Sequence, residues 1–69
     1  MKYPNIEAER ARRGMSQTEL AEQLGVSRKT YQNWQASKTE IPCSKIVAMA
    51  HLFDVAADYL LGIGDKPAS

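Results

Sequence analysis

The side chains best suited to chemistry in this 69-residue chain lie in residues 28–36. If Tyr31 and Trp34 face a core, helical geometry turns the opposite side of this segment to solvent. That side carries two cations, two amides and no carboxylate: Arg28, Lys29, Gln32 and Asn33. Cations suit the acceptor atoms of guanine and amides suit adenine, so this side is expected to read base edges in DNA. The alternative is an ordinary solvated face, which most amphipathic helices have.

Two helices are predicted to hold that segment in place. Leu20 and Leu24 share one helical face, and Gly25 can then adopt the left-handed conformation that ends a helix. Ser27 is a good N-cap for the helix that follows. Only a small side chain fits where two such helices cross, and Ala21 would lie there. Two short helices joined by about three residues at a steep angle form a helix-turn-helix.

The segments on either side predict three more helices. Pro4 or Asn5 can begin the first one. Ile6 is its clearest core contact, with Ala11 or Arg10 one turn later. The last helix is expected at residues 57–61.

The fourth helix is predicted after Pro42, with Ser44, or less well Cys43, as its N-cap. Its expected buried stripe is Ile46, Val47, Ala50 and Phe53. Met49 and Leu52 lie off that stripe, so this helix is apolar almost all round. Central burial is the usual explanation, whereas an exposed apolar side in so small a domain would indicate a partner surface.

Length and composition limit the possible classes of protein. One domain, residues 1–63, is expected with a frayed tail at 64–69, and no apolar run approaches membrane-spanning length. His51 stands alone, and the chain has neither zinc-ligand spacing nor a glycine-rich phosphate loop. An enzyme, a metal or other cofactor, and a small-molecule ligand are therefore not expected. The single Cys43 and the lack of a signal-like N-terminus indicate a cytoplasmic protein.

The charge distribution supports a nucleic-acid partner more than the net charge of +1 does. Residues 1–40 carry seven of the nine cations, against five carboxylates. The basic part of the chain thus coincides with the segment expected to read DNA. Because the asymmetry is small, we expect moderate affinity that depends strongly on salt.

Three motifs together resemble a known family: SQTELAEQLGVS from Ser16, RKTYQNW from Arg28, and IVAMAHLFDVAADYLLG from Ile46. Over residues 6–62 the chain resembles the Cro/repressor-type helix-turn-helix domains, also named the xenobiotic-response-element family. The resemblance implies an all-α, compact, lambda-repressor-like domain of five helices, in which the second and third form the helix-turn-helix. It also implies a bacterial or phage transcriptional regulator, expected to be a repressor, that binds a near-palindromic site on double-stranded DNA as a homodimer.

Further site residues follow from this resemblance and from the polar loop after Trp34. The residues expected to hold the sugar–phosphate backbone are Gln17, Ser27, Thr30, Ser37, Lys38 and Thr39. For the loop residues 37–39, an ordinary solvated surface loop is the alternative. In related proteins the residue at the position of Gln17 contacts a phosphate or braces the reading helix. Related domains often pair through their last helices, and the candidates for such a dimer contact are Met49, Leu52, Leu60, Leu61 and Ile63. For Leu60, packing in the core of the domain is the alternative.

The chain departs from the family pattern at three positions. Gln35 stands where the family commonly has a glutamate that pairs with the residue corresponding to Arg10, so the ion pair is not expected here and at most a neutral amide contact would replace it. Ser37 replaces the usual glycine of the loop, and Ala56 replaces the usual serine cap of the last helix.

A protein-interaction or antitoxin-like module is the alternative function, because one fold can serve several functions. Such a module would need few base-contacting groups on its reading face. Lys29, Gln32 and Asn33 therefore favour DNA binding over this alternative.

Overall fold

The computed structural model describes residues 2–63, most of which lie in five helices. These are α1 Pro4–Arg12, α2 Gln17–Gln23, α3 Arg28–Gln35, α4 Cys43–Phe53 and α5 Ala57–Leu61. This part of the chain contains no strand, so the predicted all-α fold of five helices is confirmed. The tail predicted at residues 64–69 lies outside the described range.

The turn between α2 and α3 forms as its local sequence predicts. Ser16 and Glu19 make a reciprocal capping box, with the Glu19 N–H donating to Ser16 Oγ at 3.0 Å and the Ser16 N–H donating to Glu19 Oε1 at 2.9 Å. Gly25 ends α2 with a φ of +73°. Ser27 then caps α3, because its Oγ accepts the Thr30 N–H at 3.1 Å. These local interactions fix where the two helices end and begin.

The buried face of α4 differs from the predicted stripe. Met49 is fully buried, whereas the side chain of Val47 is 46% exposed. The stripe therefore follows residues 46, 49, 50 and 53, which have the spacing of one helical face. Val47 is rotated about 100° from Ile46 and faces solvent. The predicted inclusion of Val47 and exclusion of Met49 were both wrong. When a helix is apolar on nearly every side, its sequence does not indicate which side is buried.

The start of α4 also differs from the prediction. The N-cap residue is Pro42, which has no side-chain capping bond, and Ser44 lies inside the helix. Cys43 is the first helical residue and its thiol is exposed and free. Pro42 can end the preceding loop because its fixed φ of −59° suits the cap position, and its missing N–H is no loss there.

The first helix packs through residues that its sequence did not reveal. Ile6 is fully buried as predicted, but Ala11 is exposed and Arg10 only partly buried. Tyr3, just before the helix, and Glu9 occupy buried positions instead. A buried glutamate requires compensation, since an isolated carboxylate in an apolar core is strongly unfavourable.

Glu9 obtains this compensation from two neighbouring arginines and from a tyrosine in α5. Arg12 donates to its carboxylate at 2.7 Å, and Arg13 donates to the other oxygen at 2.5 Å. The hydroxyl of Tyr59 in α5 donates to it at 2.9 Å. Arg13 also donates to the carbonyl oxygen of Phe53, the last residue of α4, at 2.6 Å. The carboxylate thus links α1 to α5, and Arg13, which it holds in place, links the end of α1 to the end of α4.

The pKa of Glu9 reflects these contacts. Burial raises the pKa of Glu9, but the hydrogen bonds from Arg13 and Tyr59 and the charges of Arg12 and Arg13 outweigh burial, so the pKa lies below its ordinary value. The stability that Glu9 contributes is therefore complete above the unfolded-state pKa of about 4.3 and is lost as the pH falls through the lowered pKa.

Replacing Glu9 by glutamine should destabilise the domain by about 3 kcal/mol, because two arginines and a tyrosine hydroxyl lose a buried charged partner. The measurement is urea denaturation at pH 7 and at a series of pH values down to 3. The wild type should lose stability in acid, and Glu9→Gln should lose less of it over that range.

Two variants accompany this test. Glu22→Gln changes an exposed carboxylate on α2 and should alter the free energy of unfolding by less than about 0.5 kcal/mol. Tyr59→Phe removes one hydrogen bond to the carboxylate and should cost about 2 kcal/mol, so it remains measurable if Glu9→Gln does not fold. A Glu9→Gln protein as stable as Glu22→Gln would contradict the structural role assigned to Glu9.

None of the helices within residues 2–63 has the length and apolar character needed to cross a membrane.

Candidate nucleic-acid interface

The orientation of α3 is set by two buried aromatic rings. Tyr31 is 0% and Trp34 2% exposed, and their rings pack edge to face with centroids 6.3 Å apart. The opposite side of the helix consequently faces outward. The residues predicted for base contacts lie on that side: Arg28, Lys29 and Gln32 are exposed, and Asn33 is half-buried.

The first turn of α3 is positively charged. Arg28 and Lys29 occupy it, and it contains no acidic residue. Cations at this end of a helix oppose the macrodipole, so they do not stabilise the helix itself. Ser27 offsets part of that cost, since its Oγ caps the helix and also lies 3.0 Å from Thr30 Oγ1. Both of these hydroxyl groups border the cationic turn.

The start of α2 reaches the outward face of α3. Gln32 Nε2 donates to Gln17 Oε1 at 3.3 Å. Gln17 is half-buried and Gln32 exposed, so the contact lies at the rim of the two helices. Gln17 thus contacts α3 directly, and a bracing function remains one of its two predicted functions. Its expected phosphate contact remains a prediction.

The loop after α3 lies against the end of that helix. The Lys38 N–H donates to the Asn33 carbonyl oxygen at 2.9 Å, and the Ser37 N–H donates to the Trp34 carbonyl oxygen at 3.2 Å. Ser37, Lys38 and Thr39 are all exposed. Ser37 has a φ of +62°, the left-handed conformation for which glycine is best suited. The loop therefore keeps the backbone shape that a glycine would give, at some cost in strain.

Within residues 2–63 no hydrogen bond joins Gln35 to Arg10, which agrees with the expected loss of the family's ion pair. Arg10 instead pairs within its own helix with Glu7, at 2.8 Å and 3.0 Å, and also donates to the Met15 carbonyl oxygen. The Tyr31 hydroxyl donates to the same Glu7 carboxylate. Gln35 is buried and donates to the Tyr31 hydroxyl oxygen at 3.0 Å.

Electrostatics favours the ordinary charge state of each group in this network. The hydrogen bond from Arg10 lowers the pKa of Glu7 in spite of partial burial, and the same bond raises the pKa of Arg10. Burial raises the pKa of Tyr31, and the hydrogen bond to Glu7 raises it further. A neutral tyrosine and a charged Glu7–Arg10 pair therefore support the inner side of α3 at neutral pH.

The residues predicted for a dimer contact divide into two groups. Met49 and Leu60 are fully buried in the core, so their assignment to an exposed contact surface was wrong. Leu52 and Leu61 are each 39% exposed and Ile63 is 74% exposed. These three remain a prediction for the contact between subunits.

Lys45 is a supporting residue that the sequence did not reveal. Its Nζ donates to the Leu24 carbonyl oxygen at 2.7 Å, so it links α4 to the C-terminal end of α2. A cation is favourable at that end of a helix dipole. No local pattern could predict this bond, because its partners are separated by the whole of α3.

Comparison with known proteins agrees with this geometry. Residues 6–60 match a family model described as "Helix-turn-helix". The chain is 36% identical over 53 residues to a protein of Bacillus subtilis (strain 168) named "Uncharacterized HTH-type transcriptional regulator YobD". The match covers 77% of this chain and 47% of that relative, so the chain spans about half the length of the curated relative.

The chain belongs to the helix-turn-helix family, since the model covers well over half of its residues. The family resemblance predicted from the sequence is confirmed.

Substituting Ser37 by glycine should stabilise the domain by up to about 1 kcal/mol, because an L-residue at a φ of +62° is strained and glycine is not. Thermal or urea denaturation measures the change. The neighbouring Ala36 has an ordinary φ of −86°, so Ala36→Gly should instead destabilise by about 0.5–1 kcal/mol. Equal effects of the two substitutions would argue against strain at Ser37.

Proposed function

We propose that this protein is a sequence-specific DNA-binding transcriptional regulator that acts as a repressor by occupying its operator. The observation that carries the proposal is the outward face of α3, where two cations and the Gln32 amide are exposed, Asn33 is half-buried and carboxylates are missing. An α-helix fits the major groove, and the N-terminal residues of such a helix face the base edges. The family and the name of the B. subtilis relative support the same function.

The base contacts are assigned to Arg28, Lys29, Gln32 and Asn33. The hydrogen bond to Gln17 holds the Gln32 side chain, so the Gln32 amide is already oriented in the free protein. Preorganisation of this kind lowers the entropy lost on binding. The loop residues 37–39, together with Gln17, Ser27 and Thr30, are assigned to the phosphate backbone, which they can reach from both ends of α3.

Asn33→Ala and Gln32→Ala should each cost about 1–3 kcal/mol on the preferred site and relax the sequence preference, because an amide can make two hydrogen bonds to one adenine. The preferred site is first selected from random duplex DNA, and affinity is then measured by titrating labelled duplexes. Lys38→Ala should weaken binding to selected and unrelated duplexes alike, since a phosphate contact carries no sequence information.

The control is His51→Ala, which alters an exposed side chain on α4 and should leave both affinities unchanged. Wild-type affinity should fall steeply between about 50 mM and 200 mM salt. No measurable binding to any duplex would refute the proposal and favour the protein-interaction module. A changed sequence preference for Lys38→Ala would refute only the assignment of the loop to phosphate.

We further propose a homodimer that places two α3 helices about 34 Å apart on a near-palindromic site. Its contact is assigned to the exposed apolar residues Leu52, Leu61 and Ile63. A second copy of the chain that covers these residues would bury their apolar area.

Ile63→Lys should shift the protein from dimer to monomer, because it puts a charge into an apolar contact. Sedimentation equilibrium with and without the selected duplex measures the shift. Val47→Lys changes another exposed apolar residue, outside the assigned contact, and should leave the association constant unchanged. A wild type that is monomeric both in solution and on DNA, or a selected site without symmetry, would contradict the dimer.

A further inference from the structure

The segment before α1 is attached to the last residue of α3. The Lys2 N–H donates to the Gln35 carbonyl oxygen at 2.9 Å. The Gln35 side chain binds the next residue twice: its Oε1 accepts the Tyr3 N–H at 2.9 Å, and its Nε2 donates to the Tyr3 carbonyl oxygen at 3.1 Å. Three hydrogen bonds therefore hold Lys2 and Tyr3 beside the C-terminal end of the helix assigned to DNA reading.

One of these three hydrogen bonds, the one to the Tyr3 carbonyl oxygen, requires an amide at position 35. Gln35 accepts one hydrogen bond and donates two, counting the bond to the Tyr31 hydroxyl oxygen at 3.0 Å. An ionised carboxylate can only accept, so a glutamate could not bond the Tyr3 carbonyl oxygen. The departure from the family pattern at this position thus has a structural consequence, which is a fixed position for the segment that carries Lys2.

The Lys2 side chain is exposed, and its Nζ lies 5.4 Å from the centroid of the buried Tyr3 ring. That distance allows a cation–π interaction, which restricts the ammonium group without removing it from solvent. The cation is therefore held near a fixed ring and remains available to a negatively charged partner.

Lys2 and Lys38 flank the same end of α3. The Lys38 N–H donates to the Asn33 carbonyl oxygen, and the Lys2 N–H donates to that of Gln35. Carbonyl groups two residues apart in a helix differ by about 3 Å along its axis and by about 200° around it, so the two main chains approach this end of α3 from opposite sides. A helix with its side chains is about 10–12 Å across and the major groove about 12 Å wide, so groups beside the end of a bound helix meet the sugar–phosphate strand that borders the groove.

We propose that Lys2 is an additional contact to a DNA phosphate and that Gln35 is the residue that positions it. The inference rests on the proposed DNA-binding function. It assigns the hydrogen bonds that join the main chain of Lys2 and Tyr3 to Gln35 a function in DNA binding, in addition to their function in the fold.

The test compares wild type, Lys2→Gln and Lys2→Arg by titration of the selected duplex and an unrelated duplex over a series of salt concentrations. Lys2→Gln should lower affinity about 3- to 10-fold at about 0.1 M salt on both duplexes. The slope of log affinity against log salt should fall by about 0.9 for each protein subunit bound, because one phosphate contact is lost. Lys2→Arg keeps the charge and should retain both the affinity and the slope.

A purely structural function for Lys2, such as compensating the helix dipole, predicts a different pattern. In that case Lys2→Gln would lower the thermal midpoint by several degrees and leave the salt slope unchanged. We expect a midpoint within about 2 °C of the wild type, since the side chain is exposed. An unchanged slope, with wild-type binding intact, would overturn the Lys2 contact alone. No salt-dependent binding by the wild type would overturn this inference and the proposed function together.

The positioning function of Gln35 is tested by Gln35→Glu, alone and combined with Lys2→Gln. The glutamate keeps the acceptor for the Tyr3 N–H and loses the donor to the Tyr3 carbonyl oxygen. If Gln35 positions Lys2, the two substitutions should be non-additive: Lys2→Gln should cause less than about a twofold further loss in the Gln35→Glu protein. A full additional loss and slope change in that protein would show that Lys2 acts without Gln35.

Discussion

Burial of the Tyr31 and Trp34 rings is the constraint on which the outer surface of this domain depends. The two rings lie on one side of α3 and are almost completely inaccessible. A rotation of α3 by one residue, about 100°, would expose them and turn polar groups such as Gln32 toward the core. Burying an amide without partners costs several kcal/mol, and exposing two aromatic rings loses a large apolar area. Packing in the core therefore determines which side chains of α3 are exposed to a ligand in the free protein.

Placing a tyrosine at this point creates a second requirement, because its buried hydroxyl needs hydrogen-bond partners. Glu7 accepts from it and Gln35 donates to it. Glu7 is in turn neutralised by Arg10 within α1, so no charged pair has to span α1 and α3. The two requirements are therefore met separately. The Glu7–Arg10 ion pair within α1 neutralises the carboxylate, and the neutral amide of Gln35 is available to bind the segment before α1. Glutamine in place of the family's usual glutamate at position 35 thereby attaches the segment before α1 to the buried side of α3.

The sequence predicts features that depend on neighbours a few residues away. The capping box at Ser16, the left-handed Gly25 and the cap at Ser27 belong to this class, and the spacing of the two aromatic residues was sufficient to predict the outward face of α3. Features that depend on tertiary neighbours were missed. The rotation of α4 could not be predicted, because every side of that helix offers apolar residues. The burial of Glu9 and the attachment of Lys2 depend on partners in distant parts of the chain, Tyr59 and Gln35.

The distribution of charge over helix ends distinguishes α3 from α1, α2 and α5. The first turn of α4 also contains no acidic residue, but its Lys45 donates to the Leu24 carbonyl oxygen. The first turns of α1, α2 and α5 each contain an acidic residue, as the macrodipole favours, whereas the first turn of α3 contains Arg28 and Lys29 and no acid. Each of these cations costs the isolated helix about 0.3–1 kcal/mol, and the Ser27 cap offsets about 1 kcal/mol of this. The arrangement is unfavourable for the free domain and becomes favourable when an external polyanion supplies the missing negative charge. In the proposed complex the phosphates beside the groove supply this negative charge. The electrostatic destabilisation of α3 in the free protein is then relieved when DNA binds.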